Sequence, residues 1–249
     1  MDALVGYATD PASWTGTTGI PNRLVEHLVL CVLAVAVAAL IALPAGLYIG
    51  HTGRYSVLGI NLANIGRAIP SYAVMVMILP VALSLAPTLG YAPQLGLSFL
   101  PIFLAMVLLA IPPILVGAFA GIREVDRDLV ESARGMGLTE RQILGRIELP
   151  IASPIIVGGF RTAMLQVIAT ATIGAILSGG GLGRFIIDGI ARRDDGMLYM
   201  GVVLVGGLAI GVDLGMSWLQ RRLTPRGLRA EAPGSRAGET DHAPAGSPA

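Results

Sequence analysis

VDRDLVESARGMGLTERQILGRIELP, residues Val125 to Pro150, is a charged island in the middle of an otherwise apolar chain. Acids and bases recur throughout it, whereas the run from Ala68 to Ile122 before it holds no Asp, Glu, Lys, Arg or His. A charge near the centre of a bilayer costs about 2.5–3.5 kcal/mol on insertion scales. The island is therefore a folded loop in water between two membrane spans.

Its local chemistry reads as helix, break, helix. Asp126 to Arg134 opens on acids and closes on Arg, the order that a helix dipole favours, and Gly135 stands where a left-handed cap is expected. Thr139 and Gln142 have capping-box spacing, and the second helix runs from Glu140 to about Ile147, stopping before Pro150. Leu138, Ile143, Leu144 and Ile147 form an apolar stripe away from Arg141, Arg146 and Glu148. Such a helix suits a groove on a partner protein, and the competing reading is a solvated loop on the bilayer surface.

Composition agrees with a membrane protein. Apolar residues make up 54% of the chain and charged ones 13%, with a mean hydropathy of +0.73. A net charge of +1 gives no argument for nucleic acid. The lone Cys31 excludes an internal disulfide and a thiolate metal site, and His27, His51 and His242 lack ligand spacing. The first apolar run is too long for the core of a cleaved signal peptide and is expected to stay as a span.

The reading is an all-α polytopic protein with about five spans: Leu28–Gly50, Val57–Leu85, Phe99–Gly121, Ile151–Ser178 and Met197–Leu219. Residues 1–27 form an external polar leader, read as a mobile terminus. Residues 28–219 form the membrane domain, with its loop at 123–150. Residues 220–249, rich in Pro, Gly, Ala, Ser and Arg, form a disordered tail. Pro70 interrupts the second span beside Ser71. Arg54, Arg123 with the island's four Arg, and the Arg cluster after Leu219 fall on one side of the membrane, and the uncharged 86–98 loop falls on the other. That places the island and the C-terminus in the cytoplasm and the N-terminus outside.

Arg67, Arg161 and Asp213 lie within spans. An unpaired Arg there is costly, so Asp213 is expected to pair with one Arg, or both Arg line a path; the alternative is snorkelling to the headgroups. Gly179, Gly180, Gly181 and Gly183 read as a helix end and turn rather than a phosphate cradle, since no Lys exists anywhere in the chain.

Glu131-Ser132-Ala133, Gly137, Ile147 and Leu149-Pro150 resemble the Glu-Ala-Ala, Gly, Ile-x-Leu-Pro loop of permease subunits in bacterial binding-protein-dependent ABC importers, with Ser132 in place of the second Ala. The resemblance implies a coupling loop that docks in a cytoplasmic ABC ATPase dimer. It assigns ATPase contact to Glu131, Ser132, Ala133, Gly137, Leu138, Ile143, Leu144, Ile147, Leu149 and Pro150. Gly181 to Gly189 is similar to a Gly-rich pattern of glycine betaine, carnitine and choline permeases, shared in part with methionine permeases. Arg67-Ala68-Ile69-Pro70-Ser71 is similar to a Gln-Thr-Ile-Pro-Ser element of the same branch, with Arg67 in place of an amide. The resemblance spans Leu28 to Leu219. It implies a non-enzymatic transport subunit of the bacterial inner membrane, importing osmoprotectants. Its partners are a second permease copy or homologue, an external solute-binding protein and membrane lipid; ATP and Mg are held by the ATPase, and this chain needs no cofactor. Arg67, Pro70, Ser71, Arg161 and Asp213 are then candidates for the path, and Gly181, Gly183, Arg184 and Asp188 for binding-protein docking. Alternatives are a methionine-like amino-acid permease and an ion-coupled secondary transporter. The latter needs more intramembrane acids or an internal repeat than the sequence offers.

Overall fold

The computed structural model describes residues 2–54, 57, 61, 70–85, 87–88, 100–177 and 180–224. Arg67, the 68–69 half of the interruption at Pro70, most of the 86–98 loop, Gly179 and the tail from 225 lie outside the described residues.

The described elements are helical throughout: α1 (Asp2–Thr9), α2 (Ile20–Thr52), α3 (Ser71–Leu85), α4 (Leu100–Arg123), α5 (Arg127–Gly135), α6 (Glu140–Ile143), α7 (Leu149–Gly174), α8 (Gly183–Arg192) and α9 (Asp195–Leu223). Four described helical stretches are long and apolar enough to cross a membrane: Ile20–Thr52, Leu100–Arg123, Glu140–Leu177 and Asp195–Leu223. The second span is represented by the shorter apolar α3.

Helix α4 is the centre. It packs against α2, α3 and α7, while α9 lies on α7 and α8 at the periphery. The close approach follows from small residues at helical spacing. Cys31, Ala34, Ala38 and Ala42 line the buried face of α2 and meet Ala105, Met106, Ala110 and Ile114 in one core cluster. Where α4 crosses α7, Gly117 and Gly159 stand backbone to backbone: a Cβ on Gly117 would lie 2.7 Å from the Gly159 Cα. The outward face of α2 is apolar too, with Val29, Leu33, Leu40 and Ile41 exposed, as a helix solvated by hydrocarbon requires.

Several expectations are corrected. The first span begins at Ile20, not Leu28, because Pro21 sits in the first turn and Gly53, at φ 69°, closes the far end in the left-handed conformation. The leader is folded rather than mobile: α1 packs on α9, Tyr7 meets Phe185 edge-on at 6.3 Å, and the Trp14 indole donates to the Ala8 carbonyl at 2.8 Å. The turn at the glycine run is short: from Gly183 the chain is again helical, as α8, ended by Arg193 at φ 57°.

Candidate functional site

The island folds as a compact helical hairpin at one end of the bundle. Asp126 caps α5 by accepting from the Asp128 N–H at 2.9 Å. The helix terminates in a Schellman arrangement, with the Leu138 N–H on the Ala133 carbonyl at 3.2 Å and the Gly137 N–H on the Arg134 carbonyl at 3.0 Å. Gly137, at φ 86°, is therefore the left-handed residue, two positions beyond the Gly135 expected from sequence. The capping box of α6 closes as Gln142 reaches back to the Thr139 N–H at 2.9 Å.

The second island helix does not stop before Pro150. Leu144–Glu148 forms a π turn that runs straight into α7, with the Leu149 N–H on the Leu144 carbonyl. Proline cannot donate and crowds the carbonyl four residues back. The wider turn places this defect at the seam between two helical segments, so the chain continues without a break. The same problem at Pro154 is met differently: the carbonyl of Pro150, deprived of its N–H, accepts from the Ser153 hydroxyl at 2.9 Å.

The apolar stripe has a different role from the one expected. Ala133 and Ile143 are buried with Val125 and Val130 in the hairpin's own core, against which Leu138, Ile147 and Ile151 pack. Leu144 and Leu149 pack on Ile122, Ala152 and Ile156, joining the hairpin to α4 and α7. Ala133 and Ile143 therefore offer a partner nothing in this conformation. Glu131, Ser132, Gly137 and Pro150 do face outward. Beside them stand two residues that the sequence reading passed over, Leu129 (43% exposed) and Met136 (75% exposed). Their spacing of seven, which sets them on one stripe flanking the buried Val130 and Ala133, is the sequence signal that could have found them.

The hairpin is also held by charge. Arg134 forms a two-pronged bond to Glu140, at 2.8 and 3.0 Å, which holds the Glu140 carboxyl below the usual carboxylate range. The His51 ring, at the end of α2, lies between two carboxylates: Nδ1 is 2.6 Å from Glu148 and Nε2 is 3.2 Å from Glu140. Glu148 is 2% exposed. The two acids approach the ring from opposite nitrogens rather than converging, and no metal-holding group of His, Cys, Asp and Glu occurs among the described residues.

Within the bundle, Arg161 of α7 donates to Asp213 of α9 through Nε at 2.5 Å and through an Nη at 2.7 Å. Pro70 and Ser71 open α3, where the Pro70 carbonyl accepts from the Val74 N–H at 3.1 Å. At the end opposite the hairpin, the Glu26 carboxylate accepts from the Gly181 N–H at 2.9 Å, and His27 Nδ1 accepts from the Leu182 N–H at 3.3 Å. Gly181 and Gly183 are thus taken up by internal packing: a Cβ at Gly181 would strike His27, and one at Gly183 the Thr172 carbonyl. Arg184 and Asp188 pair along α8 at 2.6 Å and remain partly accessible.

Comparison with known proteins follows the same outline. The family model of the binding-protein-dependent transport system inner membrane component matches residues 30–226. The chain is 31% identical over 232 residues to the carnitine transport permease protein OpuCB of Listeria monocytogenes, covering 92% of this chain and 97% of that protein. It is 31% identical over 204 residues to the choline transport system permease protein OpuBB of Bacillus subtilis (strain 168), covering 82% and 88%. To the osmoprotectant import permease protein OsmW of Salmonella typhimurium it is 33% identical over 204 residues, covering 82% and 91%. Among solved structures, an inward-facing conformation of the MetNI methionine ABC transporter shares the fold, with a TM-score of 0.70 at 21% identity over 80% of this chain and 94% of that chain.

Proposed function

The chain belongs to the binding-protein-dependent transport system inner membrane components, and from that premise we propose that it is the permease subunit of an ATP-driven importer for glycine betaine, choline or carnitine. It is a multi-pass membrane transport subunit. The observation that carries the mechanism is the island's fold: a rigid hairpin, closed by its own core and caps, that continues without interruption into α7.

A cytoplasmic ABC ATPase dimer grips the outward face of the hairpin at Leu129, Glu131, Ser132, Met136 and Gly137. Closure of that dimer around ATP displaces the hairpin as a unit, and α7 moves with it because no break separates them. A second permease subunit completes the path, and an external binding protein delivers the solute at the opposite end, where Arg184 and Asp188 lie. The N-terminus is outside and the C-terminus cytoplasmic. Coupling to an ion gradient is disfavoured, since the intramembrane acid Asp213 is already neutralised by Arg161.

The test is reconstitution with the cognate ATPase and binding protein. ATP-dependent uptake of labelled glycine betaine, choline or carnitine, with methionine failing to compete, is the expected result. Leu129→Asp with Met136→Asp should leave the permease inserted but prevent co-purification of the ATPase. Methionine uptake, or ATPase capture untouched by the double substitution, overturns the corresponding half of the reading.

A further inference from the structure

His51 sits 97 residues from Glu148 in sequence, yet it is the one side chain at the end of α2 that bonds both halves of the second island segment. Glu140 belongs to the first turn of α6 and Glu148 to the end of the π turn. A single ring therefore fastens the hairpin at two points, one at each end of the segment. A buried carboxylate such as Glu148 is retained only with a partner, and His51 is that partner. Each ring nitrogen faces one carboxylate, so the single ring reaches both acids at once.

Glu148 belongs to the π turn and points inward. Its neighbour Arg146 is exposed while Glu148, at the last position of that turn, is buried against α2 beside His51. Such single-turn bulges tend to mark functional positions. At the same end of α2 the Arg123 guanidinium of α4 lies beside Gly53, so close that a Cβ there would meet it at 3.3 Å.

We propose that His51 is a positioning residue that transmits displacement of the hairpin directly into α2, a second route parallel to the covalent one through α7. The proposal rests on the coupling role assigned above. Both α2 and α7 pack on α4 and on each other, so the two routes reach two helices that share the same central element. The hairpin cannot slide along α2 without breaking both of the His51 contacts.

The experiment uses the whole complex in proteoliposomes, with uptake and ATP hydrolysis measured side by side. His51→Ala should lower uptake about tenfold while hydrolysis falls less than about twofold, the size of effect that loss of one coupling contact produces. His51→Gln, which keeps one donor for Glu148, should recover part of the uptake. Uptake and hydrolysis falling in equal proportion, or neither changing, overturns the proposal.

A second measurement leaves the buried groups intact. Spin labels on Thr52→Cys and Arg141→Cys, both exposed positions, report the distance between α2 and the hairpin; the native Cys31 is buried. The distance should be the same without nucleotide and with ATP trapped. Separation of the labels on trapping overturns the tie even if His51→Ala fails to assemble. A parent complex without ATP-dependent uptake removes the proposed function and this inference together, whereas a competent parent indifferent to His51→Ala removes the inference alone.

Discussion

Two adjacent glycines of α7 should respond oppositely to the same substitution. A Cβ on Gly159 would stand 2.7 Å from the Pro113 carbonyl oxygen and 3.0 Å from the Gly117 Cα, both backbone atoms of α4. The first distance is about 0.7 Å inside ordinary contact, and no flexible side chain can give way, so the two helices must part. Overpacking of this kind costs about 1–3 kcal/mol, and the upper half of that range applies because backbone moves on both sides. Against it stands a gain of about 1 kcal/mol for replacing a helical glycine by alanine. Gly159→Ala should therefore destabilise by about 1–2 kcal/mol. Next to it, a Cβ on Gly158 meets only the Gln220 amide nitrogen at 3.8 Å, so Gly158→Ala should keep most of its gain of about 1 kcal/mol. Equilibrium unfolding in mixed micelles, followed by far-ultraviolet circular dichroism, measures both. Midpoints that move in the same direction, or a Gly159→Ala protein as stable as the parent, would refute the packing argument.

Asp213→Asn leaves the Arg161 guanidinium without its counter-charge within a span and should lower the unfolding midpoint in the same assay. The exchanged pair, Arg161→Asp with Asp213→Arg, should regain most of that loss; an exchange no better than the single change would show that the ion pair is not the cause. Gly137 has open space around it but a φ of 86°, so strain rather than crowding decides its substitutions. Gly137→Ala and Gly137→Trp should loosen the hairpin alike by about 1–2 kcal/mol, and Gly137→Asn by less. Amide hydrogen exchange of residues 126–148 reads this directly, and a Trp variant far worse than Ala would contradict it.

Much of the hairpin could be read from its residues because its signals are local. The charge density places it in water, and the Asp126 and Thr139 caps act within three residues of themselves. What depended on distant partners could not be read. One local choice escaped as well: the helix stops at Gly137 rather than Gly135 through hydrogen bonds to the Ala133 and Arg134 carbonyls, which the identity of a glycine does not reveal. The stripe through Ile143 has the periodicity of a docking face, but periodicity does not say whether the surface it meets is foreign or its own, and here Val125, Val130 and Ala133 cover it. Pro150 obeys the rule against helix interiors only until a π turn shifts the seam. His51 looked solitary because its acids lie in another part of the chain. The N-terminal helix α1 is too short to persist unaided; α9 stabilises it, and no local pattern announces that contact.

The continuous helical stretch from Glu140 to Leu177 is 38 residues long, and its backbone-to-backbone approach to α4, at Gly159, falls close to its midpoint. At 1.5 Å of rise per residue, each arm is roughly 28 Å. A beam pinned at mid-length behaves as a see-saw: a push on one tip swings the other tip by a similar amount in the opposite sense. On the importer reading proposed above, opening at one membrane face and narrowing at the other would need no separate signal, because a single fulcrum would make them one motion.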